Sequence, residues 1–275
     1  MKTALLLKTF PIIFCFIFIL TCTVVSVNKS YAEILRGFEA HKAYIYPVVR
    51  ISTHYGTGSG TLVYSKTEND DDSYSTYVLT NYHVIESAIS ITEDWDSNLK
   101  RNVTHERRSI VYVEIFKYRD VSVPVGTMKI ESDIIIYNKL EDMALLKIRY
   151  DESIEYIAKL APSEPEYMVM DRSIAVGCSL GWPTLPAVGE ITRLRYQIQS
   201  LPYDMSSAQI IFGNSGGAMF LEDGTFIGIP SRVAMAGWSG AITHMGLFIP
   251  AFRIYKWLET EHYDFIYKPD LIEKE

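Results

Sequence analysis

From about Ala43 to Pro250 the chain is a succession of short β-rich runs separated by turn-forming residues. Runs at 60–64, 75–80, 110–116, 121–125, 133–137 and 143–148 come first. A Pro-rich stretch, Ala161-Pro162-Ser163-Glu164-Pro165, divides them from runs at 173–177, 189–195, 217–221, 225–229 and 245–249. Many short strands with turn signals between them predict an all-β architecture of barrels or a sandwich. One convincing long helix is expected, over 250–260, where Phe252, Ile254, Tyr255 and Leu258 recur near helical spacing. The acidic stretch Glu68-Asn69-Asp70-Asp71-Asp72 lacks the glycine and the ligand spacing of a calcium loop. It reads as a solvated hairpin tip.

The first 32 residues differ from the rest. Lys2 and Lys8 precede a charge-free run over 10–27, and Ser30-Tyr31-Ala32 places small residues where a signal peptidase reads. Residues 1–32 therefore have the pattern of a signal peptide, with export of residues 33–275. Because the apolar run nearly spans a bilayer, an uncleaved N-terminal membrane anchor is the alternative. The net charge of −7 becomes more acidic by three without the leader, which holds three lysines and no acids. No basic excess exists to neutralise phosphates, so nucleic acid is excluded as a main partner. Cys15 and Cys22 fall in the leader, leaving Cys178 alone in an apolar setting, as a core residue without a disulfide partner. Six scattered histidines form no pattern of metal ligands, and no cofactor is expected.

Three segments carry chemistry. In Gly213-Asn214-Ser215-Gly216-Gly217 the glycines allow positive φ and close backbone approach. A serine in such a turn can expose its oxygen while nearby N–H groups converge on an oxyanion. In Thr80-Asn81-Tyr82-His83-Val84 a histidine follows a buried strand, a rigid mount of the kind a general base needs. In Glu141-Asp142-Met143-Ala144-Leu145-Leu146 an acid precedes an apolar strand and could stabilise an imidazolium. Taken singly, each could equally be a Gly-rich turn, a boundary histidine and a strand-start cap.

In the order His83, Asp142, Ser215, these segments resemble the trypsin-like serine peptidases, most closely the HtrA/Deg branch. Gly56-Thr57-Gly58-Ser59-Gly60-Thr61-Leu62-Val63 is similar to the Gly-rich first strand of that branch, and the likeness extends over residues 45–260. The resemblance implies two six-stranded β-barrels, about 43–160 and 166–250, followed by the terminal helix. It implies a His83-Asp142-Ser215 triad, with Gly213, Asn214 and Ser215 forming the oxyanion turn. Asp120 and Asp133 are the nearby rivals for the acid. Gly228-Ile229-Pro230-Ser231-Arg232-Val233 is similar to the strand that pairs with substrate backbone, Ser231 to the residue supporting the triad acid. Gln209 falls at the family's pocket base, and Gly246 at the far pocket wall. Uncharged Gln209 and the larger Val233 imply small or medium uncharged side chains before the scissile bond. Asn214 replaces the aspartate whose ion pair activates digestive zymogens, and the sequence after the helix is too short for the PDZ domain HtrA proteins usually carry.

The expected function is thus an exported serine endopeptidase acting on protein or peptide substrates. The alternative is a peptidase-like binding module without turnover. Gly213-x-Ser215-x-Gly217 also fits the α/β-hydrolase nucleophile elbow, with Asp223 and His244 or His262 downstream. Asp223-Gly224 signals a hairpin rather than the helix that elbow requires. Gly56-Thr57-Gly58-Ser59-Gly60 fails as a dinucleotide motif because Thr61 stands at the third glycine position.

Overall fold

The computed structural model describes residues 35–67, 73–236 and 240–268; the leader and the acidic stretch 68–72 lie outside these. Its strands are β1 (Val48–Ser52), β2 (Thr57–Thr67), β3 (Tyr74–Thr80), β4 (Ile89–Asp96), β5 (Arg101–Arg108), β6 (Val111–Arg119), β7 (Val123–Asn138), β8 (Met143–Ile148), β9 (Arg172–Gly177), β10 (Leu185–Ile198), β11 (Leu201–Ser206), β12 (Ala218–Leu221), β13 (Phe226–Ala236) and β14 (Gly240–Pro250). Two antiparallel rings of six strands close, in the orders β1-β2-β3-β8-β7-β6 and β10-β11-β14-β13-β12-β9. A helix, Ala251–Thr260, follows the second.

Alternation along the strands explains how the rings pack. In β8, Ala144 and Leu146 enter the core of the first barrel, whereas Met143 and Leu145 join a second cluster on the other face. That cluster also holds Val176, Phe220 and Ile249 of the second barrel and Ile254 and Leu258 of the helix. Successive side chains of a strand point to opposite faces. A strand between two cores must therefore be apolar throughout, as the unbroken run Met143-Ala144-Leu145-Leu146 is. The interior of the second barrel is a separate cluster containing Ala175, Ile191, Met219, Ile227 and Phe248.

Three features depart from the strand pattern read in the sequence. The runs at 121–125 and 133–137 join in one strand, β7, whose first part, through Ser132, pairs with β6 and whose remainder pairs with β8. The polar residues between them are absorbed by the sheet: Ser132 is buried and donates to Val111 O (2.7 Å). Asp133 pairs with Arg149, just past the end of β8 (2.7 Å). Strands β4 and β5 form an exposed two-stranded ribbon whose charged composition hides any alternation. Strand β11 buries Asp204, which the Tyr167 hydroxyl and the Arg195 N–H satisfy (2.6 Å each).

Candidate active site

Strand pairing brings the acid and the histidine together. Thr80 at the end of β3 lies opposite Ala144 near the start of β8, so the segments just beyond, Asn81–His83 and Asp142, are neighbours. His83 belongs to a short helical turn, Tyr82–Ile85, whose Tyr82 and Ile85 are buried and fix its mount. Asp142 adopts φ 57°, a left-handed conformation uncommon outside glycine. Its main-chain oxygen is held by the Asn81 amide (2.8 Å).

The Asp142 carboxylate is saturated. It accepts hydrogen bonds from His83 Nδ1 (2.9 Å to Oδ1, 3.0 Å to Oδ2), from the His83 N–H (3.1 Å) and from the Ser231 hydroxyl (2.7 Å). Burial acts to raise its pKa, but the bonds and charge from His83, with the Ser231 bond, outweigh it. The carboxyl is held below the ordinary aspartate range. With Nδ1 engaged by the carboxylate, Nε2 is the imidazole nitrogen left for proton transfer. Of the rival acids, Asp133 is taken by Arg149 and Asp120 is exposed.

His83 and Ser215 line the same cleft, of about 350 Å³, together with Tyr55, Gly58, Phe212 and Gly213. Among the described residues the Ser215 hydroxyl makes no hydrogen bond to His83; such bonds often form fully only around substrate. The turn beneath is defined by its backbone. Gly213 has φ 98° and Gly216 φ 84°, and a Cβ on Gly216 would fall 2.1 Å from Ser59 O. Asn214 N donates to Ile211 O (3.1 Å), Gly216 N to Pro230 O (3.1 Å) and Gly217 N to Asn214 O (3.0 Å). Among the described residues, the N–H groups of Gly213 and Ser215 have no protein acceptor. Two unpaired amides beside an accessible serine can receive an oxyanion.

Asn214 is itself buried, and its side-chain oxygen accepts from the Ser179 hydroxyl. Ser231 thus faces Asp142, Arg232 is exposed beside the Tyr203 ring, and Val233 pairs with Gly246 between β13 and β14. Gln209 is exposed. Its buried neighbour Ile210 lies against Gly246, so close that a Cβ there would fall 2.4 Å from Cδ1. Cys178 is fully buried, and burial pushes its thiol up to about 12. It is chemically silent.

Four contributors went unread in the sequence: Ser59, Asn81, Ser179 and Arg253. The Arg253 guanidinium, on the terminal helix, is almost wholly buried and bonds Glu141 Oε2 (3.0 Å from Nε), Glu141 O and Pro202 O. It thereby fixes the residue preceding Asp142. Asn81 and Ser59 lie inside motifs that were noted, but polar residue types in a strand or strand end do not reveal which atoms they engage. Nothing local connects Arg253 to a residue 112 positions away.

Comparison with known proteins agrees with this architecture. The family model for the trypsin-like peptidase domain matches residues 58–229, and the chain belongs to that family. It is similar to the serine protease Do-like HtrA of Lactococcus lactis, 27% identical over 220 residues, covering 74% of this chain and 45% of the relative. It is also similar to the magnetosome formation protease MamE of Magnetospirillum gryphiswaldense, 24% identical over 180 residues, 64% of this chain and 19% of the relative. The chain thus spans less than half the length of these relatives. Among solved structures, the HtrA-type protease AlgW with a tripeptide shares the fold, with a TM-score of 0.58 and 19% identity over 82% of this chain and 63% of that one. Among the described residues, no helix is long and apolar enough to cross a membrane.

Proposed function

We propose that this chain is an exported serine endopeptidase that cleaves peptide bonds through an acyl-enzyme. The Ser215 oxygen attacks the scissile carbonyl carbon while His83 Nε2 takes its proton. Asp142, bonded to Nδ1, orients the imidazole and stabilises its charged form. The carbonyl oxygen, now an oxyanion, receives the N–H groups of Gly213 and Ser215. Collapse expels the amine, which leaves with the proton from His83. Water then repeats the sequence on the acyl-enzyme and restores Ser215. The observation that carries this reading is the saturated His83–Asp142–Ser231 network, sharing a cleft with Ser215 and two unpaired amides.

Export follows from the leader pattern over residues 1–32, with retention as an anchor the other outcome for the same segment. For the residue before the scissile bond, buried Ile210 against Gly246, with Val233 alongside, supports small or medium uncharged side chains over Lys or Arg. A fluorophosphonate probe tests the chemistry. It should label the wild type and leave Ser215→Ala unlabelled, and the same substitution should abolish casein hydrolysis with the fold intact. Casein hydrolysis at the wild-type rate by Ser215→Ala would sink the assignment.

A further inference from the structure

We infer that Ser59 is the positioning residue of the oxyanion site: a serine of the first barrel whose hydroxyl aims the amide donors of the second. This rests on the proteolytic reading above. Ser59 lies in β2 and is fully buried. Its N–H donates to Ser215 O (2.8 Å), and its C=O accepts from the Thr80 hydroxyl (2.7 Å). Its own hydroxyl donates to Gly213 O (2.6 Å) and accepts from the Cys178 N–H (2.7 Å). One hydroxyl can do both at once.

The consequence for catalysis comes from peptide geometry. In a planar trans peptide the N–H points away from the C=O. Phe212 O is held by the Leu180 N–H (2.8 Å), which turns the Gly213 N–H away from that contact. Asn214 O is held by the Gly217 N–H (3.0 Å), which does the same for the Ser215 N–H. The peptide between these two donors, Gly213 to Asn214, is fixed at its N–H by Ile211 O and at its C=O by Ser59. Gly213 has no Cβ to restrict it, so the turn's own hold on that peptide is the bond from the Asn214 N–H to Ile211 O. The restraint on that carbonyl comes from the other barrel. The same hydroxyl also ties down Cys178, which leads into Leu180, the residue holding Phe212 O. Without the hydroxyl, Gly213 O and the Cys178 N–H lose this partner, and a buried polar group left unpaired drives rearrangement. A rotation of the middle peptide changes the dihedrals on both sides of it and swings both donors off target.

The test compares wild type, Ser59→Ala and Ser215→Ala, using fluorescein-labelled casein for turnover and a fluorophosphonate for active-site titration. Removing one oxyanion donor outright costs roughly 10²–10³ in kcat. Misaiming two should lower kcat of Ser59→Ala by about 10- to 100-fold, with KM within about twofold. Every molecule should still titrate with the probe, only more slowly by a similar factor. The position of the pH–rate limbs should not move, because His83 and Asp142 keep their bonds. Simple loss of packing would do the opposite: fewer molecules titrate, and each remaining site reacts at the normal rate. That outcome, or kcat within twofold of wild type, overturns the role of Ser59 while leaving the Ser215 chemistry standing. Absence of Ser215-dependent turnover in the wild type overturns both.

Discussion

The two halves of the cleft are built from different materials. On the first barrel, His83 and Asp142 are joined through side chains, with Ser231 from the second barrel adding a further donor to the same carboxylate. On the second barrel, the turn over Gly213–Gly217 is an arrangement of backbone amides, in which only the hydroxyl of Ser215 is chemistry carried by a side chain. A side-chain assembly can be weakened one bond at a time. A backbone assembly depends on the space that absent side chains leave, and it fails when that space is filled.

Substitutions can break this contrast at either half. The largest effect should come from Asp142→Asn, which removes the charge stabilising the imidazolium; kcat should fall by about 10⁴-fold with the fold preserved, read by steady-state kinetics. Next is Gly213→Ala. An added Cβ would sit 2.5 Å from Cys178 O and 2.6 Å from Leu180 N, at a φ that favours glycine. A loss of about 10²–10³ in kcat is expected, as for a missing oxyanion donor. Retention of full activity by this variant would refute the backbone account of that half.

Arg253→Ala sharpens the comparison from the side of stability. It breaks a largely buried ion pair and leaves Glu141 without its partner, so urea denaturation should show a loss of about 3 kcal/mol. Ser231→Ala removes one of several bonds to Asp142 and should cost only about 1 kcal/mol in transition-state stabilisation, seen as a modest drop in kcat/KM. The smallest signal is in pH. The folded pKa of Asp142 is depressed, so the stability it contributes is complete above the ordinary value of 3.8 and is lost as pH falls through the lower folded value. The difference in unfolding free energy between wild type and Asp142→Asn should therefore shrink under acid, and a constant difference from pH 7 to 3 would contradict this.

The same contrast explains what could be read in the sequence. The strand Met143–Ile148 was visible because burial on two faces demands a continuous apolar run, here its first four residues, and its preceding acid marked the candidate site. The glycines around Ser215 were visible because positive φ leaves few alternatives to that residue. The ribbon of β4 and β5 was not, because exposed strands carry no alternation to detect. Nor was the contact of Ile210 with Gly246, since residue type does not reveal which distant backbone a buried side chain meets. Where function rests on which atom of a serine, asparagine or arginine meets which distant backbone group, residue type is silent. Ser59, Asn81 and Arg253 are all of that kind.

The Arg253 bridge also sets an order of assembly. Glu141 and Asp142 are synthesised more than a hundred residues before Arg253, so the acid's mount cannot be completed until the helix carrying Arg253 has been made. The first barrel can close on its own strand pairings, yet the segment carrying Asp142 waits for the terminal helix to dock. A chain assembled in this way completes the mount of Asp142 only after the strands of both barrels have been made.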